Sequence, residues 1–355
     1  MAQTDNHLVI MAGGVGGRFW PMSTADCPKQ FIDVLGVGRS LIQLTYDRFA
    51  GVVPSDNVWV VTNQKYVSLV HEQLPEIPLN HILSEPCRRN TAPCIAYVSW
   101  RIKKENPKAN IVVSPSDHIV TNETEFKRVI SNCLKFTAET DAVVTLGMKP
   151  TRPETGYGYI QADLSTASAR NREIYRVDQF REKPDLPTAE QYIKQNNFFW
   201  NAGIFIWSAS TIVNAFRIYQ PSIARNFERI MDVLDTADEQ RVIDEVYPEC
   251  ENISVDYAIM EKAEEIFVCP ADFGWSDLGT WGSLLAQTQH DIYGNAVIGK
   301  DVHLFDSKNC IVHTTEERKV VIQGLDGYIV AEQDGKLLIC RLSEEQRLKQ
   351  FTGEG

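Results

Sequence analysis

The chain has 355 residues, of which 43% are hydrophobic, 10% aromatic and 23% charged. This composition excludes fibrous and intrinsically disordered classes, because the chain can bury enough apolar surface to offset the entropy lost on folding. The net charge of −12 comes from 35 basic and 47 acidic residues, and no basic stripe is visible in the sequence. We therefore expect no nucleic-acid partner.

The sequence also argues against a membrane location and against disulfides. No run of 18 apolar residues occurs, and the first residues lack the pattern of a secretion signal, so we expect neither a membrane span nor a membrane partner. The eight cysteines contain no C-x-x-C pair and lie mostly in apolar stretches. Reduced, buried thiols in a cytoplasmic protein are the expected outcome.

Strand-like runs alternate with amphipathic helical patterns through the first half of the chain. The runs cover residues 7–11, 58–61, 111–114 and 142–146. Between them, residues such as Ile95, Val98 and Ile102 share one helical face. This alternation predicts an α/β fold with a Rossmann-like mixed, mainly parallel sheet that is covered by helices. Ligands in such sheets bind at the carboxyl ends of the strands.

The pattern changes twice in the second half of the chain. After Pro150 the alternation loosens, which we interpret as a substrate-binding insertion in the same fold. From residue 289 onward, short β-like pieces are separated by turn signals such as Asp326-Gly327. We predict an α/β domain over residues 1–288 and a small all-β C-terminal domain over residues 289–355. Two roles are open for the small domain: it forms a homodimer, or it packs back on the larger domain.

A glycine-rich segment, A-G-G-V-G-G-R-F-W-P, covers residues 12–21 directly after the first predicted strand. Glycines let backbone amides approach an anion, and Arg18 and Lys29 add two cations near this segment. No G-K-[ST] follows, so the segment is not a Walker loop, and the third glycine of a dinucleotide fingerprint is missing. A tight turn without a ligand is the alternative.

Eight short motifs stand in an order and spacing that resemble the sugar-nucleotide pyrophosphorylases, and among them the mannose-1-phosphate guanylyltransferases. The motifs are the glycine-rich segment at 12–21, P-K-Q-F at 28–31, E-P-C-R-R-N-T-A-P at 85–93, P-S-D-H at 115–118, G-Y-G-Y-I at 156–160, E-K-P at 182–184, W-N-A-G-I-F at 200–205 and W-S-D-L-G at 275–279. The chain departs from the family pattern at Gly17, where a hydroxyl side chain is usual, and at Thr24, where arginine is usual. The resemblance implies a fold of the nucleotide-diphospho-sugar transferase type.

The resemblance implies that Asp117 and Asp277 bind Mg²⁺ as the cofactor. The chemistry is reasonable, because Mg²⁺ prefers few protein carboxylates and keeps several water and phosphate ligands. Taken alone, an isolated aspartate in a loop is more often a turn or N-cap residue. His118 lacks a partner at metal-ligand spacing, so we expect it to be structural or to neighbour the metal ligands.

The resemblance also implies a set of site residues. The catalytic candidates are Arg18, Lys29, Asp117, Lys183 and Asp277. The nucleotide-binding candidates are Ala12, Gly13, Gly14, Gly16, Gly17, Arg18, Lys29, Glu85, Arg89, Asn90, Thr91, Ser116 and Asp117. The sugar-phosphate candidates are Gly158, Glu182, Lys183, Asn201 and Gly203. Alternatives stay open for two groups: residues 182–183 as a solvated turn, and residues 89–91 as helix caps.

The implied reaction joins GTP and α-D-mannose 1-phosphate to give GDP-mannose and pyrophosphate. The sugar phosphate attacks the α-phosphorus in line, and as a dianion near pH 7 it needs no general base. Two alternatives keep the fold: guanylyl transfer to another manno-configured sugar 1-phosphate such as a heptose, or a catalytically silent regulatory binding protein. A nicotinamide-dependent oxidoreductase is disfavoured by the incomplete glycine fingerprint.

Overall fold

The computed structural model describes residues 5–14, 17–314 and 318–353. Gly16, one of the predicted nucleotide-binding residues, lies outside these described residues. Contacts divide the chain into two compact units. Among the described residues, the first unit contains those up to Gly13, Tyr46–Pro115 and Val120–Trp275. The second contains the described residues of Gly14–Thr45, Ser116–Ile119 and those from Ser276 onward. The domain boundary that we predict after residue 288 differs from this division by contacts, and it stays a prediction.

The described residues form seventeen strands and ten α-helices, numbered here in chain order. The strands are β1 (Asn6–Met11), β2 (Val58–Asn63), β3 (Ile82–Glu85), β4 (Asn110–Pro115), β5 (Ile119–Val120), β6 (Val143–Met148), β7 (Tyr159–Ser168), β8 (Asn171–Arg181), β9 (Phe198–Ser208), β10 (Ile266–Ala271), β11 (Trp275–Ser276), β12 (Ala296–Ile298), β13 (Asp301–Phe305), β14 (Ile311–His313), β15 (Lys319–Gln323), β16 (Tyr328–Gln333) and β17 (Lys336–Arg341). The α-helices are α1 (Leu41–Arg48), α2 (Val67–Gln73), α3 (Thr91–Glu105), α4 (Glu123–Ala138), α5 (Leu186–Ile193), α6 (Ala209–Tyr219), α7 (Pro221–Glu228), α8 (Glu239–Val246), α9 (Trp281–Gln287) and α10 (Leu348–Thr352). None of the helices in the described ranges is both long and apolar enough to cross a membrane.

Nine of the described strands form the central sheet of the first unit, in the order β3-β2-β1-β4-β9-β6-β10-β8-β7. Strand β1 is parallel to β2 and β4, β2 is parallel to β3, and β6 is parallel to β10. Strand β9 runs antiparallel between β4 and β6. The predicted α/β class with a mixed, mainly parallel sheet is confirmed.

The apolar pattern of the sequence explains the interior of this sheet. Leu8, Val9 and Ile10 in β1 are fully buried, as expected for a strand that is covered on both faces. Helix α3 buries Ile95 and Val98 completely, which confirms the helical face predicted from the sequence. Each such side chain contributes roughly 1.5–3 kcal/mol when it leaves water.

An irregularity in strand β9 places one of the predicted site residues. The pairing with β6 passes from Thr145↔Phe205 to Gly147↔Asn201, so β9 bulges between these two pairs. Gly203, inside the bulge, has a φ of +68°, which glycine adopts without strain. Thr145 donates a hydrogen bond from Oγ1 to Asn201 Oδ1 across the bulge, so the side chain of Asn201 faces β6.

The C-terminal strands form a short β-coil in the second unit. Strands β12, β14 and β16 pair in parallel, and β13 pairs in parallel with β15. Val312, Ile322 and Val330 fill the interior of the coil. The predicted strand-rich C-terminal region is confirmed. It ends in a 3-10 helix, Leu342–Arg347, and in helix α10, neither of which was predicted from the sequence.

A separate hydrophobic core lies within the second unit. It contains Phe19 from the 3-10 helix Gly17–Phe19, Trp281 from α9 and Leu348 from α10, each at most 1% exposed. The ring centroids of Phe19 and Trp281 are 5.3 Å apart. The end of the glycine-rich segment and the C-terminal helix therefore share one core.

Candidate active site

The ammonium group of Lys29 is the centre of a polar group in the second unit. Lys29 is only 6% exposed and begins the 3-10 helix Lys29–Phe31. Its Nζ lies 2.9 Å from Asp117 Oδ2 and donates hydrogen bonds to the main-chain oxygens of Asp277 (2.9 Å) and Leu278 (3.0 Å). The two predicted metal ligands, far apart in the sequence, therefore meet at one buried cation.

Asp117 lies in the turn after β4, and its side chain is 34% exposed. Burial opposes its ionisation, but the charge and hydrogen bond of Lys29 outweigh burial, so the pKa of the Asp117 carboxyl lies below its ordinary value. The other carboxylate oxygen, Oδ1, is 3.7 Å from His118 Nε2, which is beyond hydrogen-bond distance. Ser116, the preceding residue, is buried. Asp117 is thus a partly exposed carboxylate at neutral pH.

The turn after β11 fixes the side chain of Asp277. The main-chain N–H of Gly279 donates to Asp277 Oδ1 over 3.0 Å, and a Cβ on Gly279 would stand 2.8 Å from Oδ2. Leu278, between them, has a φ of +44°, a strained conformation for a leucine. Helix α9 then begins with a capping box formed by Thr280 and Ser283. The orientation of the carboxylate therefore depends on this turn, and a side chain at position 279 would displace it.

Asp117 and Asp277 carry the type of donor atom that a hard divalent cation prefers. Both supply carboxylate oxygens, and both residues are bound to the same ammonium group. Among the residues that the structure describes, no group of three or more His, Cys, Asp or Glu side chains forms a complete metal cage. A site with two carboxylates suits Mg²⁺, which keeps water and phosphate oxygens as its remaining ligands.

The glycine-rich segment is held at both ends. In the first unit, the main-chain N–H of Ala12 donates to the carbonyl oxygen of Val61 over 2.8 Å. In the second unit, Gln30 Nε2 donates to the carbonyl oxygen of Gly14 over 2.9 Å. Arg18 is exposed and forms no ion pair with any residue in the described ranges. Its guanidinium is therefore available to an anion.

Glu85 is a buried acid at the end of β3 in the first unit. It is 8% exposed, and its Oε1 accepts a hydrogen bond from the hydroxyl of Tyr247. Burial raises the pKa of the Glu85 carboxyl to about 7, although the bond from Tyr247 opposes this rise. A Cβ on Gly13 would stand 3.0 Å from Glu85 Oε2, so this oxygen faces the backbone of the glycine-rich segment.

Residues 89–91 are tied into the fold by hydrogen bonds. Asn90 precedes α3 with a φ of +63°, and its Oδ1 accepts from the main-chain N–H of Thr91 over 3.0 Å. Thr91 Oγ1 accepts from the main-chain N–H of Val255 over 2.9 Å, and Arg89 donates to a main-chain oxygen. These contacts support helix capping by Asn90, so nucleotide binding by this segment stays a prediction.

Glu182 and Lys183 follow β8 and form an ion pair of 2.9 Å between Lys183 Nζ and Glu182 Oε1. The Glu182 side chain is 9% exposed, whereas the Lys183 side chain is 60% exposed and its φ is +45°. A Cβ on Gly158 would overlap Glu182 Oε2, so glycine is required for this close approach. The alternative of a solvated turn fits the Lys183 ammonium but not the buried carboxylate of Glu182.

Hydrogen bonds fix the orientation of the Asn201 side chain. Its Oδ1 accepts from Thr145 Oγ1 and from the main-chain N–H of Gly203, each over 3.1 Å. Its Nδ2 donates to Asp256 Oδ1 over 2.9 Å. Because the carbonyl oxygen of an amide accepts two hydrogen bonds, Asn201 has only one N–H left to offer a ligand.

Asp256 is a candidate functional residue that the sequence analysis missed. It begins the π-helical turn Asp256–Met260, a type of turn that is frequent at functional sites. Burial and the nearby Glu182 raise the pKa of the Asp256 carboxyl to about 6, against the attraction of Lys183. In the sequence, Asp256 is a single aspartate shortly before the apolar residues 258–260, which are buried. Such a helical pattern indicates packing and gives no sign of a functional carboxylate.

A family model for nucleotidyl transferases matches residues 7–293, and the chain belongs to this family. The chain is 35% identical over 354 residues to the xanthan biosynthesis protein XanB of Xanthomonas campestris pv. campestris, a match that covers 99% of this chain and 73% of XanB. It is 34% identical over 357 residues to the mannose-1-phosphate guanylyltransferase of Escherichia coli strain K12, with 99% of this chain and 74% of that protein covered.

A solved structure extends the similarity to the whole fold. A crystal structure from Thermus thermophilus, described as a mannose-1-phosphate geranyltransferase, is 30% identical and matches with a TM-score of 0.87. The match covers 99% of each of the two chains. The family indicated by the eight motifs and the enzyme class of nucleotidyltransferase are therefore confirmed.

Proposed function

We propose that the protein transfers a guanylyl group from GTP to α-D-mannose 1-phosphate, which yields GDP-mannose and pyrophosphate. The observation that carries this proposal is the Lys29 ammonium, which binds the Asp117 carboxylate and the main chain of Asp277 over 2.9 Å each. Phosphoryl chemistry between two polyanions depends on positioning and charge neutralisation, and this arrangement supports both. The relative from Escherichia coli supports the choice of base and sugar.

Asp117 and Asp277 would hold Mg²⁺ in this reaction. When bound, the ion would offset negative charge on the α-phosphate and on the sugar phosphate. Lys29 keeps Asp117 ionised, so that its carboxylate can bind a cation at neutral pH. The hydrogen bond from Gly279 keeps the carboxylate of Asp277 in one orientation.

The bonds that form and break in this reaction indicate where negative charge has to be stabilised. A phosphate oxygen of mannose 1-phosphate forms a bond to the α-phosphorus of GTP, while the bond from that phosphorus to the bridging oxygen breaks and pyrophosphate leaves. A sugar phosphate with a second pKa of about 6 is mostly dianionic at pH 7, so no general base is needed. Arg18 and the amides of Gly14 and Gly17 would stabilise the departing phosphates.

Glu182, Asn201 and Lys183 would bind mannose 1-phosphate in the first unit. The Glu182 carboxylate can accept hydrogen bonds from sugar hydroxyls, whereas the Asn201 side chain can only donate one. The exposed ammonium of Lys183 suits the phosphate. Gly158 and Gly203 would allow the sugar to approach the backbone.

Glu85 is our candidate for reading the guanine base. Guanine presents two N–H donors side by side on its pairing edge, and one carboxylate can accept both, whereas adenine presents an acceptor there. The Oε2 atom of Glu85 accepts no hydrogen bond from the part of the chain that the structure describes. Arg89, Asn90 and Thr91 would add polar contacts to the nucleotide in the first unit, and Ser116 would do so in the second.

We also propose that the enzyme is a cytoplasmic homodimer. All eight cysteines lie in the described ranges and all are free, which fits a reducing compartment. Edge strand β17 exposes the apolar side chains of Leu337 and Ile339, which a second copy of the chain would cover. Sedimentation of the wild type is expected to show a dimer, and of the double variant Leu337→Glu/Ile339→Glu a monomer.

A substrate matrix tests the proposed reaction. GTP, ATP, CTP and UTP are each combined with mannose, glucose and heptose 1-phosphates in the presence of Mg²⁺, and the pyrophosphate formed is measured. The highest kcat/KM is expected for GTP with mannose 1-phosphate. A higher value with a heptose phosphate would move the function to another sugar, and no turnover with any pair would favour a binding protein.

A further inference from the structure

The C-terminal helix α10 places a lysine beside the glycine-rich segment. Leu348 anchors the helix, because it is 1% exposed and belongs to the core that contains Phe19. The next residue is Lys349, whose Cε lies 3.9 Å from the point where a Cβ on Gly17 would stand. This is an ordinary van der Waals separation, so the aliphatic part of Lys349 lies along the backbone at Gly17.

The charge of Lys349 is not neutralised within the described residues. Its ammonium forms no ion pair with any of them, and the side chain is exposed. The two acidic residues of the preceding 3-10 helix are engaged elsewhere: Glu344 pairs with Arg347 over 2.8 Å, and Glu345 accepts from the main-chain N–H of Gly282 over 2.8 Å. Neither of these acidic side chains forms an ion pair with Lys349.

Arg18 is a second cation next to Gly17 in the chain. It follows Gly17 directly, and like Lys349 it has no anionic partner in the ranges described. An anion bound at this turn would meet the positive charge of each of these two side chains. Lys29 differs from both, because its charge is already taken up by Asp117. The pair Arg18 and Lys349 is therefore suited to a polyanion.

We propose that Lys349 binds the β- and γ-phosphates of GTP together with Arg18, so that the C-terminal helix forms part of the triphosphate site. This inference rests on the proposed guanylyl transfer. The helix is held in place by Leu348 and by the bond from Gly282 to Glu345, which ties the preceding segment to α9. The turn before α9 carries Asp277, so both ends of the triphosphate would be bound by one packed unit.

The proposal predicts which ligands depend on Lys349. The β- and γ-phosphates leave as pyrophosphate, and GDP-mannose does not contain them. A contact to these phosphates therefore affects GTP and pyrophosphate but not the sugar-nucleotide product. A merely structural role of the helix would weaken all three ligands together.

The test compares Lys349→Met and Lys349→Arg with the matched control Lys319→Met, which removes an exposed lysine on β15 of the same unit. Calorimetry gives the affinities for inorganic pyrophosphate and for GDP-mannose with Mg²⁺, and steady-state kinetics give the KM for GTP. Lys349→Met is expected to weaken pyrophosphate binding and to raise the KM for GTP by about tenfold, the effect of one charge-assisted hydrogen bond. Lys349→Arg and Lys319→Met should stay within about twofold of wild type, and GDP-mannose affinity should not change.

Two results would overturn the proposal. Pyrophosphate affinity in Lys349→Met that equals that of Lys319→Met would show that the ammonium does not bind phosphate. An equal loss of GDP-mannose affinity would show that the lysine only supports the structure. Failure of the proposed function would look different, since the wild-type protein would then form no GDP-mannose while the pyrophosphate titrations would still report on Lys349.

Discussion

The side chain of Asn201 donates a hydrogen bond to the carboxylate of Asp256 across 2.9 Å. This bond joins β9 of the central sheet to the π-helical turn Asp256–Met260. It also fixes the orientation of the Asn201 amide group towards a ligand. In the proposed reaction, Asp256 would be a positioning residue, because it would act on the sugar phosphate only through Asn201 and through the charge of Lys183.

Replacing Asp256 should separate sugar binding from nucleotide binding. Asp256→Ala removes the acceptor of Asn201, so we expect the KM for mannose 1-phosphate to rise about tenfold while the KM for GTP stays within about twofold. Asp256→Asn keeps an acceptor oxygen and should lie between wild type and Asp256→Ala. Equal rises in both KM values would indicate a general loss of structure instead.

Gly158→Ala should act on the same substrate through sterics. The added Cβ overlaps Glu182 Oε2 and displaces a buried carboxylate, so we expect a rise of about tenfold in the KM for mannose 1-phosphate. Gly156→Ala is the matched control, because its Cβ would stand 3.2 Å from Glu154 Oε1, the end of a flexible side chain. The prediction fails if the two alanine variants have the same kinetics.

Asp117→Asn and Asp277→Asn should each lower the rate of pyrophosphate release by at least about tenfold, because each removes a charged oxygen ligand from the proposed Mg²⁺ site. Asp272→Asn, which changes an exposed aspartate, is the control for loss of charge. Circular dichroism and thermal unfolding check that the fold is retained. Near wild-type turnover of either variant would refute its assignment as a metal ligand.

Lys29→Met should reduce both turnover and stability. It leaves the Asp117 carboxylate and two main-chain oxygens without their ammonium partner, and we expect a loss of about 1–3 kcal/mol in the free energy of unfolding. We expect kcat to fall about a hundredfold, since Asp117 would lose the charge that orients it. Urea denaturation and pyrophosphate release measure the two effects, and unchanged kcat with lower stability would assign Lys29 a structural role only.

Binding of GTP should depend on pH through Glu85. Its pKa of about 7 lies above the ordinary value, so in the free protein the carboxyl is protonated below pH 7 and ionised above it. A carboxylate that accepts two N–H bonds from guanine must be ionised, so GTP affinity should fall as the pH drops from 8 to 6. Calorimetry of the wild type and of Glu85→Gln checks this: the variant should bind weakly at both values, and a pH dependence equal to that of the wild type would exclude Glu85.

The same shift has a consequence for folding. A raised pKa in the folded state means that the folded protein binds this proton more tightly than the unfolded chain does. The contribution of Glu85 to stability is therefore greatest below its ordinary value of 4.5 and is lost as the pH rises towards 7. Glu85→Gln should therefore remove the contribution of Glu85 from the pH dependence of the free energy of unfolding.

Local patterns in the sequence predicted the sheet and part of the site. Alternating strands and amphipathic helices predicted the parallel pairing of β1 with β2 and β4, because these segments are apolar enough to be buried on both faces. The motifs predicted that Asp117 and Asp277 belong together, and the structure binds both to Lys29. The residue roles themselves stay predictions.

Other features could not be predicted, because they depend on packing between distant segments. Asp256 lies in a stretch with a helical pattern, and its π-helical turn and its bond to Asn201 are visible only in the structure. Lys349 is one lysine among many in the sequence, and its place beside Gly17 follows from the burial of Leu348. The grouping of residues 14–45 with the C-terminal strands likewise arises from long-range contacts.

Phe19 and Leu348 lie in one hydrophobic core although they stand near opposite ends of the chain. During synthesis, the segment around Phe19 therefore leaves the ribosome long before the residues that cover it exist. A nascent chain that does not yet include Leu348 would leave part of this apolar core uncovered, which favours aggregation. Completion of this core therefore waits until Leu348 has been translated.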